Sequence, residues 1–144
     1  MTSRSAGFSV VPPPGWSEAT DRVADVPGLD LVLLSSARIA SFNANLVIIA
    51  SEGDRAKAEA ELAKGRADLG RKGTVTEIPR KQIAGETANG IATAFTEAGA
   101  AVLVRSYVLH HSGTVYLLTL SSSQEGAGQA MDELDTILAS WTWT

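Results

Sequence analysis

Residues 102–123 carry two long runs rich in Val, Leu and Tyr. VLVRSYVLHH and TVYLLTLSSS lie on either side of a Ser112-Gly113 break, the pattern of a β-hairpin. Each arm is about ten residues, longer than the ~5–6 of an average strand, which predicts central positions in a sheet. In the first arm Val102, Val104, Ser106, Val108 and His110 face one way, and Leu103, Arg105, Tyr107, Leu109 and His111 the other. Both faces are largely apolar, so something is expected to cover each.

The other strands are shorter in pattern. FSVV at 8–11 is stopped by Pro12-Pro13-Pro14-Gly15 and so lies at an edge or ends there, and Trp16 is a packing residue for one end of the core. Residues 17–28 are polar and end in a Pro27-Gly28 turn. Strands follow at 29–34 and 44–50, with 35–43 open between a short strand and a loop. Asn43 and Asn45 share a face. Val75–Ile83 contains Pro79 and reads as an edge strand or an extended segment. Gly85 introduces a strand over 88–97, with Ile91, Thr93 and Phe95 on one face, and Gly99 turns the chain into the hairpin.

Two helices are expected. The first opens with the capping-box spacing of Ser51 and Asp54 and runs to about Leu69, stopping near Gly70 or Gly73. Its apolar face is thin, only Ala58, Leu62 and Leu69, and Gly65 inside it costs up to ~1 kcal/mol against alanine. In the second, Ala127, Ala130, Met131, Leu134, Ile137, Leu138 and Trp141 follow helical spacing closely, with Ser122 and Glu125 as its capping box. Asp132, Glu133 and Asp135 mark its wet face.

A chain of 144 residues predicts a single domain, 1–144, with one proper core. Hydrophobic content of 44% and charged content of 19% are globular values. A net charge of -4 argues against nucleic acid as a partner. The absence of cysteine excludes disulfides, thiolate metal sites and a cysteine nucleophile. No apolar run reaches the ~18–20 residues of a membrane span. The start, MTSRSAGF, has no apolar signal core. The expected location is therefore cytoplasmic, the alternative being the mature form of an exported protein.

Candidate chemistry is sparse. His110 and His111 are adjacent on a strand, so their side chains point to opposite faces and cannot share one metal. They are expected to cap the hairpin end in solvent. No nucleophile elbow, P-loop or three-glycine phosphate loop is present, and EGAGQA at 125–130 is a helix start. Neither an enzyme, a cofactor nor a metal is expected. The basic residues Lys64, Arg66, Arg71, Lys72, Arg80 and Lys81 cluster around the end of the first helix. They read as a solvated face, with an acidic partner as the alternative.

FSVVPPPGW at 8–16, FNANLVII at 42–49, IAGETANG at 83–90 and RSYVLHHSGTVYLLTLSSS at 105–123 occur in an order and spacing that together resemble the Mog1/PsbP-like fold, particularly its bacterial LpqN and DcrB-like branch. The resemblance spans nearly the whole chain. It implies an α+β protein, an antiparallel sheet with helices on both faces in an α/β/α sandwich. It also implies non-enzymatic work as an adaptor, a photosystem accessory protein, a bacterial surface lipoprotein, or a chaperone holding hydrophobic segments of secreted proteins. This chain lacks the N-terminal signal and cysteine of the lipoprotein members, which favours an adaptor or chaperone.

Together these features predict a protein-binding module. A sheet apolar on both faces, beside a first helix with little apolar surface, leaves a patch for a protein or peptide partner, a hydrophobic segment of a secreted protein or a second copy of the chain. The residues expected to form it are Arg105, Tyr107, Leu109, Tyr116 and Leu118. The competing expectation is an enzyme or small-ligand carrier, with a pocket between helix and sheet whose polar set is Asn43, Asn45, Arg105 and His110.

Overall fold

A computed structural model describes residues 1–23 and 25–144. In chain order its strands are β1 (Phe8–Ser9), β2 (Trp16–Glu18), β3 (Leu29–Ile39) and β4 (Phe42–Glu52), then helix α1 (Arg55–Gly70). Next come β5 (Val75–Ile83), β6 (Glu86–Glu97), β7 (Ala100–His111) and β8 (Thr114–Ser123), then α2 (Ala127–Ala139) and β9 (Thr142–Trp143). Tight two-residue turns at Ala84-Gly85, Ala98-Gly99 and Ser112-Gly113 have positive φ at both residues and fold β5 to β8 into a meander. This is the turn geometry that matches the right-handed twist of the flanking strands. The main sheet has seven antiparallel strands in the order β2-β3-β4-β8-β7-β6-β5, which puts both arms of the 102–123 hairpin near its centre.

Each helix takes one face of the sheet. Below α2, Leu31, Leu33, Leu46 and Ile48 join Tyr107, Leu109, Tyr116, Leu118 and Leu120 in the main core. The helix contributes Ala130, Leu134, Ile137 and Leu138 to the same core, the apolar stripe expected from its spacing. On the opposite face α1 covers less, with Ala58 packing on Val108 and Val115 and Leu62 and Leu117 alongside. The α/β/α layering expected of the chain is the observed one. Among the described residues no helix is long and apolar enough to cross a membrane.

Several local expectations change. Only Phe8–Ser9 of the 8–11 run is a strand, and it pairs with β9 at the C-terminus outside the main sheet. Trp16 opens an edge strand that the polar pattern of 17–28 concealed, and its indole Nε1 donates to Glu133 Oε2 at 2.6 Å. Residues 35–43 complete a long β3–β4 hairpin through an Ala40-Ser41 turn. Ser51 lies in β4, and Asp54 alone caps α1, accepting from the Ala56 and Lys57 amides at 3.0 and 3.3 Å. Ser122 lies in β8, and it is Ser123 Oγ that accepts from the Gly126 amide at 2.9 Å ahead of α2.

Gly65 sits where α1 crosses β6. A Cβ built there would meet Ile91 Cδ1 at 3.7 Å, an ordinary contact. Gly65→Ala is therefore expected to raise stability by about 0.5–1 kcal/mol through helix propensity, measured as a higher urea midpoint at unchanged m-value. A lower midpoint would mean that α1 lies closer to the sheet than its packing indicates.

Candidate binding groove

The uneven cover of the α1 face leaves a groove. The sheet twists beneath α1, which packs on β7, β6 and β8. A separate small cluster of Ala19, Leu29 and Val32 covers the far side of the same face, with Leu34 and Val47 packed against it. Between the two lies a groove of about 520 Å3 whose floor is Ile49 and Leu117. One wall is the Glu61, Lys64 and Asp68 side of α1, and the other is Val26, Pro27 and Gly28.

The second wall is held by backbone chemistry. Gly28 has φ +78°, and a Cβ there would lie 2.6 Å from the Ala50 carbonyl oxygen, so no larger residue fits. That close approach lets the Ala50 amide donate to the Gly28 carbonyl at 2.8 Å, tying the Pro27-Gly28 turn to β4. Val26 is 40% exposed above it. The floor residues Ile49 and Leu117 are half-buried, neither sealed under a helix nor fully in solvent.

The residues expected to bind a partner lie elsewhere. Tyr107, Leu109, Tyr116 and Leu118 share one face with Arg105, as their alternation required, but it is the face under α2. Tyr107, Leu109 and Leu118 are at most 1% exposed, and a partner reaches them only by displacing the helix. Arg105 is half-buried and donates through both terminal nitrogens to the Ala127 carbonyl at 3.2 Å, a brace for the start of α2. The polar set of a ligand carrier does not converge. Asn43 is spent donating to the Ser35 carbonyl at 3.0 Å, Arg105 is on the other face, and His110 is at the opposite end of the sheet.

Three members of the basic cluster have acidic partners: Arg66 with Glu77 at 3.3 Å, Lys72 with Glu97 at 3.5 Å, and Lys81 with Asp135 at 2.6 Å. The last pair is on the α2 side, so the cluster is split between faces. His111 does not cap the hairpin in solvent. Its ring stacks on Trp143 at 3.9 Å, and its Nδ1 lies 3.0 Å from Glu86 Oε2.

By sequence, no family model matches this chain and no curated protein matches it. By structure it superposes on LpqN of Mycobacterium tuberculosis, described as involved in cell envelope biogenesis, with a TM-score of 0.67 at 14% identity over 95% of this chain and 83% of that one. Cyanobacterial PsbP from Synechocystis sp. PCC 6803 gives 0.62 at 15% identity over 100% and 91% of the two chains. Mog1 gives 0.61 at 13% identity over 99% and 96%.

The chain has the Mog1/PsbP-like fold.

None of these three descriptions names a catalysed reaction. At such identities the likeness speaks for the fold alone, and the function must be argued from this chain's own groove.

Within this Mog1/PsbP-like core the chain's two tyrosines titrate abnormally. Burial pushes the Tyr107 phenol above its ordinary 10.0, Arg105 pulls it partly back, and Asp135 adds to the rise. Burial also raises Tyr116, and the nearby Asp30 carboxylate raises it further. A phenol whose pKa is higher folded than unfolded favours the folded state at all pH below the unfolded value, and that advantage is lost as pH climbs through the folded one. Stability is thus expected to fall above about pH 10. Tyrosinate absorbance should appear only as the fold opens, since no other tyrosine masks it. Tyrosinate forming at an ordinary pH with the fold intact would contradict the burial of both phenols.

Proposed function

We propose that this chain is a non-enzymatic binding module, its 144 residues acting as one domain, which holds an apolar segment of a partner protein in the groove between α1 and the Val26–Gly28 wall. The observation that carries this reading is the pair Ile49 and Leu117, aliphatic side chains left half-buried in mid-sheet by a helix too poor in apolar residues to cover them. An apolar segment laid there removes that surface from water at roughly 25 cal/mol per Å2. The floor is a sheet face whose backbone groups are already paired with neighbouring strands. Recognition therefore runs through side chains, with Lys64, Glu61 and Asp68 setting the polar rim. The neighbouring folds support this class of work in that LpqN is described as involved in cell envelope biogenesis and neither it, PsbP nor Mog1 is described by a reaction.

Overlapping peptides covering apolar stretches of secreted proteins from the source cell test the proposal. The wild-type chain is expected to retain a subset rich in aliphatic residues, and Leu117→Asp to retain the same peptides at least about tenfold more weakly while still melting in one cooperative transition. Equal retention by both proteins would overturn the groove. Self-association abolished by Leu117→Asp, with no peptide retained, would instead make a second copy the occupant. Cell fractionation separates the cytoplasmic placement from the extracytoplasmic one: recovery in the cytosol upholds the first, recovery with the envelope the second.

A further inference from the structure

Across α1 from the groove lies a second cavity, of about 410 Å3, within the usual range for small-molecule sites. Its floor is apolar, formed by Ala58, Leu62 and Val108, and its polar groups are of a different kind from those of the groove. Arg80 and Lys81 are consecutive in β5, so their side chains leave opposite faces of the sheet. Lys81 reaches Asp135 on the α2 side, while Arg80 lines this cavity on the α1 side.

The charges around Arg80 are already committed. Glu59 pairs with Arg55 at 3.4 Å, and Glu86 with His111 at 3.0 Å. Among the described residues Arg80 has no carboxylate partner, and Asn89 and His110 line the same cavity without a side-chain hydrogen bond. A guanidinium without a counter-ion and a free carboxamide, above an aliphatic floor, form a site for a molecule with one charged end and one apolar end.

We propose that this cavity binds a small organic carboxylate, its head on Arg80 beside Asn89 and its short apolar body on Ala58, Leu62 and Val108. The planar fork of arginine matches a carboxylate through two parallel hydrogen bonds. On the rim Arg55 and Arg80 are balanced by Glu59 and Glu86, so the site offers no excess positive charge to a doubly charged phosphate, while its aliphatic floor rewards a singly charged head that carries an apolar body. The site shares no floor residue with the groove, so either proposal can fail alone.

Hexanoate, hexanol and inorganic phosphate, titrated separately into the full chain and followed by amide chemical shifts, test this. Hexanoate is expected to give saturable shifts at Ala58, Thr87, Asn89 and His110 within about 10 mM, with hexanol and phosphate each binding at least about tenfold more weakly. Arg80→Gln should lose about tenfold or more in hexanoate affinity. Arg80→Lys should recover only part, and both variants should melt as the wild type does, because Arg80 is exposed. Equal binding of hexanol would overturn the role of the charged head. Equal binding of phosphate would overturn the carboxylate preference, and the absence of saturable shifts would overturn the site.

Discussion

Replacing Trp141 by alanine is expected to destabilise the protein by about 3–5 kcal/mol, towards the lower end of that range. The indole is 4% exposed and stacks on Phe8 with ring centroids 3.9 Å apart and planes 11° apart. Tyr116 and Trp143 meet it edge-on at 6.1 and 5.4 Å. Phe8 is in β1 and Trp143 in β9, so this one ring fastens both ends of the chain to the α2 side of the sheet. Its loss leaves a cavity and frees the β1–β9 pair together. The lower end is favoured because the Trp141 Nε1–H is buried without an acceptor among the described residues, a cost of about 1–3 kcal/mol that alanine removes. Trp141→Phe, which keeps a ring and drops the orphan donor, should accordingly cost much less. Urea denaturation of the two variants checks both values, and a loss below about 1 kcal/mol for alanine would show that the terminal clamp adds little.

The second large effect is at Gly90. This glycine is opposite Tyr107 on one side and Ile78 on the other. A Cβ there would lie 2.7 and 2.8 Å from Tyr107 Cε1 and Cδ1, and 2.8 Å from Ile78 Cγ1. The Tyr107 ring has nowhere to go, since it is 1% exposed beneath α2 with its hydroxyl 4.0 Å from the Met131 sulfur. Gly90→Ala is therefore expected to cost about 1–3 kcal/mol by overpacking, and valine more. A double-mutant cycle gives the decisive reading: in a Tyr107→Ala background the same Gly90→Ala change should cost less, because the clash with the ring has gone and only the one with Ile78 is left. Equal costs in both backgrounds would place the strain at Ile78 or in the β6 backbone instead of the ring.

Much of the fold could be read from turns and periodicity. Glycines at 85, 99 and 113 marked three of the hairpin turns, and the stripe from Ala127 to Trp141 marked α2. The β3–β4 hairpin was hidden because Ala40 and Ser41 adopt φ of +51° and +64° without a glycine to announce the turn. β2 was hidden because a three-residue edge strand carries too little alternation to register.

The site was half legible. The sequence showed that one helix was too thin to cover an apolar face, and α1 does leave such a face open. Alternation correctly placed Arg105, Tyr107 and Leu109 together, but it could not say which helix would lie over them. The available clue was size. The face bearing Tyr107, Tyr116, Leu118 and Leu120 needs the broad stripe of α2, which leaves the alternate residues, Leu117 among them, to the poorer helix. Val26 and Pro27 joined the groove through the Gly28–Ala50 contact, a tertiary approach with no periodic signature.

The central claim is that the open side of the sheet is the α1 face, and site-specific photocrosslinking in the source cell tests it most directly. A photoreactive side chain is placed at Leu117 on the groove floor in one protein and at Arg105 under α2 in another. Capture from position 117 of a single partner through an apolar segment is expected, and no intermolecular capture from position 105. Capture of the same partner from position 105, with none from 117, would contradict the claim and return the binding face to the residues beneath α2.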